Sequence, residues 1–141
     1  MWLMPTTKRS SADRAVERHA SSVRLRTYRE LLAWQVACSL AKRIYRFTEP
    51  LPRAEEFGLR SQMRRAAVSV ASNIAEGAGR GGDREFAQFV SVALGSMNEL
   101  ETQVLLVDDV QLCDKDTDLE ETMERLYALL NGLRNALRKE R

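Results

Sequence analysis

Aromatic residues, histidine, cysteine and proline are all scarce in this sequence. Among its 141 residues, Phe, Trp and Tyr together make up 6%, and there are only 2 cysteines, 1 histidine and 3 prolines. A core with so few rings has to be built from Leu, Val, Ala, Ile and Met, as in helix-on-helix packing. A charged fraction of 30% and a hydrophobic fraction of 44% fit one soluble, helix-rich globular domain.

The same scarcity excludes several kinds of chemistry. Cys38 and Cys113 both lie in apolar helical patterns, which indicates reduced, buried thiols rather than a disulfide framework. The single histidine, His19, lies in the N-terminal segment, so no Ser-His or Cys-His pair can assemble in the rest of the chain. We therefore predict no enzymatic activity, no cofactor and no metal site.

Long apolar runs are absent as well. No segment is long enough to cross a bilayer, and residues 2–4 are too short for the core of a signal peptide. These features predict a cytoplasmic protein with no membrane partner.

Positive charge is concentrated at the N-terminus. The net charge is only +2, yet residues 1–27 contain six Lys and Arg residues against two acidic ones. Because this segment also lacks apolar periodicity, we predict that residues 1–26 form a mobile basic tail and residues 27–141 form the domain. A nucleic-acid arm, a solvated tail and an extension translated from upstream of the true start are all compatible with it.

Apolar residues recur at steps of three and four in four segments of the chain. This period is that of an amphipathic helix with one buried face. Short connections between such helices favour an all-α, up-down-up-down antiparallel four-helix bundle. The predicted helices cover roughly residues 28–48, 58–77, 83–112 and 117–138.

Local signals predict where these helices begin and end. Gly77 and Gly79 are expected to stop the second helix, and Asp83 is expected to cap the start of the third. Thr117 and Glu120 have the spacing of a capping box at the start of the fourth.

A polar stripe runs along the second helix beside its apolar stripe. Small hydroxyl and amide groups in such a stripe let another helix approach closely and form hydrogen bonds. We predict structural contacts with Gln88, Gly95 and Glu99 of the third helix, and in particular a close approach of Arg65 to Glu99. The residues predicted to make these contacts are Gln62, Arg65, Ser69, Asn73, Glu76 and Glu99.

Basic residues of the first two helices are the candidates for ligand contact. Repeated around an oligomer, a modest basic patch becomes a strong field that attracts phosphates. The alternative is that they are ordinary surface charges, balanced by acids such as Glu55 and Glu56. The predicted nucleic-acid-binding residues are Arg60, Arg64, Lys42, Arg43, Arg46 and Arg53.

Two further groups of basic residues have simpler explanations. Arg80 and Arg84 accompany glycines spaced as G-x-G-x-x-G, but a helix rather than a strand precedes them, so only weak anion binding is left open. Arg134 and Arg138 lie near the end of the fourth helix, where the helix dipole favours positive charge without any ligand.

The second helix carries a run of residues that form a recognisable signature, with further matching residues in the first and third helices. They are Gly58, Leu59, Ser61, Gln62, Arg64, Arg65, Ala66, Ala67, Ser69, Val70, Ser72, Asn73, Ile74, Ala75, Glu76 and Gly77, with Tyr28, Leu32, Trp34 and Gln35 before them and Glu85, Phe86, Phe89, Ala93, Gly95, Ser96, Glu99 and Leu100 after them. This set resembles the signature of a bacterial family, the four-helix-bundle proteins encoded in intervening sequences of large-subunit (23S) ribosomal RNA genes. The resemblance also implies kinship to the accessory variability determinant proteins of diversity-generating retroelements.

The resemblance implies a non-enzymatic bundle that assembles into a ring, a homopentamer. The kinship implies RNA or DNA and a reverse transcriptase as partners. Two positions depart from the family pattern: Ala71 stands where proline is frequent, and Leu112 and Cys113 replace a Gly-Tyr turn. We therefore expect a ring-forming protein that binds nucleic acid through repeated basic patches. The alternative is a structural or adaptor oligomer that binds a protein partner and has no nucleic-acid role.

Overall fold

The structure, a computed structural model, describes residues 28–139. Four α-helices account for most of them, and no strand occurs in this range, which confirms the all-α prediction of four helices. The tail predicted at residues 1–26, with His19, lies outside the described residues. The helices are α1 (Leu32–Thr48), α2 (Leu59–Gly79), α3 (Asp83–Asp109) and α4 (Thr117–Lys139).

Contacts between the helices give their order and relative directions. Helix α2 packs against α1 and α3, and α4 packs against α3 and α1. Ser69 of α2 contacts Ser96 of α3, whereas Gly77, later in α2, lies against Phe86, earlier in α3. Contacts that run in opposite sequence directions are those of antiparallel neighbours, and the side-chain hydrogen bonds between α3 and α4 follow the same rule.

The predicted apolar stripes meet in one core. Helix α4 shows this most simply, because every third or fourth residue from Leu119 to Leu137 is buried. Tyr45 of α1 lies outside this core and is 46% exposed. The largest fully buried side chains are Leu40, Ile44, Met63, Val70, Ile74, Met97, Leu100, Leu119, Leu126, Leu130, Leu133 and Leu137.

Helix α1 begins later than predicted. Residues Tyr28–Glu30 form a separate 3-10 turn, and Leu31 is extended, with φ −71° and ψ 123°. The side-chain amide of Gln35 donates to the carbonyl oxygen of Arg29 at 2.8 Å, which ties this turn to the helix. The apolar period runs through both pieces, so it does not reveal the break.

Gly77 does not stop α2, contrary to the prediction. The helix continues through it to Gly79, and the left-handed turn residue is Gly81, with φ 88°. Gly77 is buried, and a Cβ atom added to it would lie 2.6 Å from the Cβ of Phe89 and 2.9 Å from a ring carbon of Phe86. Its role is therefore the close approach of α2 to α3.

The predicted caps of α3 and α4 are each placed one residue too late. The N-cap of α3 is Gly82, and no side chain there makes a capping hydrogen bond. At α4 the carboxylate of Asp116 accepts a hydrogen bond from the backbone N–H of Leu119 at 3.0 Å, so Asp116 takes the role predicted for Thr117.

Helix α3 ends at Asp109, three residues before the predicted end. Gln111 is left-handed, with φ 54°. The backbone N–H of Leu112 donates to the carbonyl oxygen of Val107 at 3.1 Å, and that of Gln111 to Asp108 at 3.1 Å. This pair of bonds is a Schellman motif, usually formed around glycine. Because a glutamine rather than a glycine takes the left-handed position, the sequence does not predict the end of α3 here.

Candidate nucleic-acid interface

Arg60 is directed at the C-terminal end of α1. Its Nε donates to the carbonyl oxygen of Thr48 at 3.1 Å, and its Nη2 donates to that of Glu49 at 3.1 Å. Nη2 also donates to the carbonyl oxygen of Leu51. The last carbonyls of a helix have no partners within the helix. Arg60 donates hydrogen bonds to carbonyl groups at this end of α1, and its positive charge is favourable at the negative end of the helix dipole.

Arg64 continues the same arrangement one turn later. Its Nε donates to the hydroxyl oxygen of Thr48 at 2.9 Å, and its Nη2 donates to the carbonyl oxygen of Tyr45 at 3.1 Å. The same Nη2 pairs with the carboxylate of Glu49 at 3.0 Å. The guanidinium carbon lies 4.6 Å from the centre of the Tyr45 ring. Arg64 thus fastens α2 to α1.

The other four predicted phosphate contacts are more accessible. Lys42, Arg46 and Arg53 are exposed and Arg43 is half-buried. None of them belongs to an ion pair among residues 28–139. These basic residues do not all share one surface. Arg43 lines a groove between α1 and α4, whereas Arg46 lines a cavity beside Asp114 and Asp116, in the turn before α4.

Ser69 and Asn73, two residues of the polar stripe on α2, form side-chain hydrogen bonds, one to α3 and one within α2. The hydroxyl groups of Ser69 and Ser96 are 3.0 Å apart, which joins α2 to α3. The amide of Asn73 donates to the hydroxyl oxygen of Ser69 at 3.0 Å and to its carbonyl oxygen at 2.8 Å. The partner on α3 is Ser96, which was not among the predicted ones.

Arg65 and Glu99 form no ion pair with each other within residues 28–139. Arg65 is exposed and has no ion pair among the described residues. Glu99 instead accepts a hydrogen bond from Gln103 within its own helix at 3.4 Å. Glu76 likewise pairs with Arg80 at 2.9 Å within α2 and its cap. Gln62 is exposed, and its side chain makes no hydrogen bond in the described part of the chain.

An open cavity of about 600 Å³ lies on the outer side of α1 and α2. Its most unusual wall is Phe57, a side chain that is 90% exposed. Tyr45 and Val68 are its other apolar walls. Its charged lining residues are of both signs: Arg60, Arg64, Arg65, Glu49 and Glu56. The sequence prediction missed Phe57, because a single apolar residue in a connection has no periodic pattern around it. The one sequence feature that could have identified it is the presence of an aromatic residue in a connection between helices, between Glu56 and Gly58.

The chain matches the family model of the 23S rRNA-intervening sequence proteins over residues 29–133. This range contains α1, α2, α3 and most of α4, and it includes every predicted site residue. The chain belongs to this family. No curated protein matches it. Arg134 and Arg138, near the end of α4, lie beyond the residues that match the 23S rRNA-intervening sequence family.

The titratable groups of this family member that have shifted pKa values are not clustered. Burial raises the pKa of the Cys38 thiol. Burial, with the nearby carboxylates of Asp114 and Asp108, raises that of Cys113. Burial and the charge of Glu101 raise the pKa of Tyr127 to about 12. Both cysteines are free thiols, as predicted, but they are half-buried rather than buried. All three shifts favour the neutral, unreactive form.

Neither a cluster of metal ligands nor a membrane-spanning helix occurs within residues 28–139. Three or more His, Cys, Asp or Glu side chains suitable for one metal ion do not come together there. None of the helices in this range combines the length and the apolar character needed to cross a membrane.

Proposed function

We propose that the protein is a non-enzymatic four-helix bundle that assembles into a ring and binds RNA or DNA. The observation that supports assembly is the exposure of large apolar side chains in two separate places. Monomeric soluble proteins rarely expose contiguous apolar patches larger than a few hundred Å², and larger patches mark contact sites. Five copies is the ring size that the family resemblance implies.

The first place is the Phe57 surface, defined by Tyr45, Phe57 and Val68. The three side chains are 46%, 90% and 43% exposed and line one cavity. Arg65 lines the same cavity and has no ion-pair partner in the described part of the chain. The Phe57 surface therefore combines apolar area with one unpaired positive charge, Arg65, and one unpaired carboxylate, Glu56, among the described residues.

The second place is the α3 stripe, defined by Val92, Leu106 and Val110. These side chains are 54%, 47% and 58% exposed; Val92 and Leu106 lie on one face of α3, and Val110 is the residue that follows the helix. Exposed Glu99 lies within the stripe, two turns from Val92, and supplies negative charge. Gly95 also lies there, and a Cβ atom on it would have no neighbour within 4 Å, which leaves room for another chain.

Two different, complementary surfaces favour a head-to-tail contact between copies. A head-to-tail contact repeats the same rotation from copy to copy, and it generates a closed ring when the rotation divides a full turn. In our proposal the Phe57 surface of one copy packs on the α3 stripe of the next, and Arg65 pairs with Glu99 across the contact.

Mixing two variants tests this contact. We expect Phe57→Glu alone and Val92→Glu alone to be monomers in light scattering, because each buries a carboxylate in the contact. A mixture of the two retains one intact contact, between the α3 stripe of the first variant and the Phe57 surface of the second. We therefore expect the mixture to form a heterodimer and nothing larger.

Two outcomes would contradict the proposed contact. If each variant assembles as the unchanged protein does, neither surface is involved. If each is a monomer but the mixture does not associate, the contact is not head-to-tail. Ala128→Glu, on an exposed position of α4, is the matched control and should assemble normally.

Nucleic-acid binding is proposed through Lys42, Arg43, Arg46 and Arg53, repeated around the ring. Their support is that none of them is neutralised by an ion pair within residues 28–139. In a salt titration with single-stranded RNA, the logarithm of the association constant should fall with the logarithm of salt concentration, with a slope of about −0.7 per phosphate contact. Absence of binding at low salt, or affinity independent of salt, would refute it.

The adaptor function is the second candidate, and one observation favours it. Arg60 and Arg64 use their guanidinium groups on the end of α1, which leaves fewer free cations for phosphates. An adaptor ring would assemble in the mixing experiment but would not bind RNA. The kinship to retroelement proteins makes a reverse transcriptase the protein partner to test first.

A further inference from the structure

A second cluster of arginines lies at the other end of the bundle. Residues of the first turns of α3 and the last turns of α4 line an open cavity of about 390 Å³. No carboxylate is among its lining residues, which makes it unlike the cavity at Arg46, where Asp114 and Asp116 take part. The Arg84 pocket is lined by Arg84, Ala87, Gln88, Ser91 and Arg138.

The arginines of this region are not neutralised by the described part of the chain. Arg84 and Arg138 are exposed and belong to none of its ion pairs. Arg80, by contrast, is paired with Glu76 at 2.9 Å. Two unpaired guanidinium groups therefore share one concave site.

Arg134 supports the same site from its edge. Its Nη1 donates to the hydroxyl oxygen of Ser91 at 3.4 Å, and its Nη2 donates to the side-chain oxygen of Asn131 at 3.2 Å. Its Nε is buried without a hydrogen-bond partner. Because Ser91 accepts from Arg134, its own hydroxyl proton is free to donate to a ligand. The pocket thus offers two guanidinium groups, one hydroxyl and the amide of Gln88 as donors.

The helix dipole explains only half of this cluster. Arg138 lies in the last turn of α4, where a positive charge is favourable. Arg84 lies in the first turn of α3, where the same effect makes a positive charge unfavourable. Arg84 therefore has no stabilising role in its own helix that would account for its position opposite Arg138.

We propose that the Arg84 pocket binds phosphate groups. Guanidinium groups match phosphate oxygens in geometry and charge, and hydroxyl and amide donors complete such a site. The phosphates belong either to the backbone of a nucleic acid or to a small anion such as pyrophosphate. The site depends only on residues of α3 and α4, so it requires neither the ring nor the α1 and α2 residues of the proposed function.

Titration with inorganic pyrophosphate tests the pocket directly. In nuclear magnetic resonance spectra, backbone amide signals of residues 84–91 and 134–138 should shift, whereas sodium chloride of equal ionic strength should not shift them. The double variant Arg84→Gln with Arg138→Gln should weaken pyrophosphate binding by about tenfold or more, since two charge-assisted contacts are lost. The matched control is Arg29→Gln with Lys115→Gln, which removes the same charge elsewhere and should bind normally.

The same variants in RNA binding identify the source of the phosphates. If the phosphates belong to nucleic acid, the double variant should bind RNA more weakly, with a salt slope shallower by about 1.4. If RNA binding is unchanged or absent while pyrophosphate binding is lost, the ligand is the small anion, and the site stands without the nucleic-acid function. Pyrophosphate that leaves these amide signals unshifted, or that binds the double variant as well as the control, would overturn the proposal. Variants with unchanged circular dichroism and melting temperature exclude misfolding as the cause.

Discussion

Replacing Gly77 by alanine lowers the free energy of unfolding by about 2 kcal/mol, in our expectation. A new Cβ atom would lie 2.6 Å from the Cβ of Phe89, an atom held close to the α3 backbone that cannot rotate away. Overpacking of this kind costs about 1–3 kcal/mol, and more when two helices have to separate. Alanine recovers up to about 1 kcal/mol because it is the better helix former. The collision is the larger effect.

Gly132→Ala is the control that separates the two effects. Gly132 lies within α4, and a Cβ atom there would meet nothing within 4 Å. Only the higher helix propensity of alanine changes the stability, so this variant should be more stable than the unchanged protein by up to about 1 kcal/mol. Urea unfolding followed by circular dichroism, at several protein concentrations, gives both values. If Gly77→Ala is as stable as Gly132→Ala, the close approach of α2 and α3 at Gly77 is not as described.

The periodic part of the fold could be predicted from the sequence, because burial of one helix face imposes a pattern on every turn. All four helices and most of the core follow from it. The helix ends could not be predicted as well, since they depend on single residues in tertiary surroundings. Gly77 has the sequence signature of a stop, yet it is required for packing. Gln111 does not have that signature, yet it adopts the left-handed conformation that ends α3.

The candidate site was predictable only where short side chains are involved. Ser69 reaches only its immediate surroundings and contacts α3 through Ser96, whereas Asn73 bonds back to Ser69 within α2. Arg65 of α2 and Glu99 of α3 lie at similar positions along the axes of these antiparallel helices. Their side chains are long, however, and each can point away from the other helix. Arg65 lines the cavity on the outer side of α1 and α2, and Glu99 bonds within α3. Spacing alone gives the height of a residue along the bundle and leaves the direction of a long side chain undetermined.

Replacing Arg60 by alanine should lower the free energy of unfolding by about 2 kcal/mol. The variant removes the Arg60 donor from the carbonyl groups of Glu49 and Leu51 and one of two donors from that of Thr48, which also accepts from the backbone N–H of Leu51. Hydrogen bonds to charged groups contribute about 1.5–3 kcal/mol, and water replaces part of this at the more exposed carbonyls. Arg60→Lys should recover little, because an ammonium group cannot reach several carbonyls in the plane of a guanidinium.

Arg65→Ala is the matched control on the same helix. Arg65 is exposed and unpaired in the described part of the chain, so its loss should change the stability of the monomeric Phe57→Glu background by less than about 0.5 kcal/mol. Unfolding in urea distinguishes the two roles of these arginines. If Arg60→Ala is as stable as Arg65→Ala, Arg60 is free to serve the phosphate contact predicted from the sequence. If Arg60→Ala is destabilised as expected, a fall in its RNA affinity reports damage to the end of α1. Only Lys42, Arg43, Arg46 and Arg53 then remain interpretable as the phosphate contacts of the proposed function.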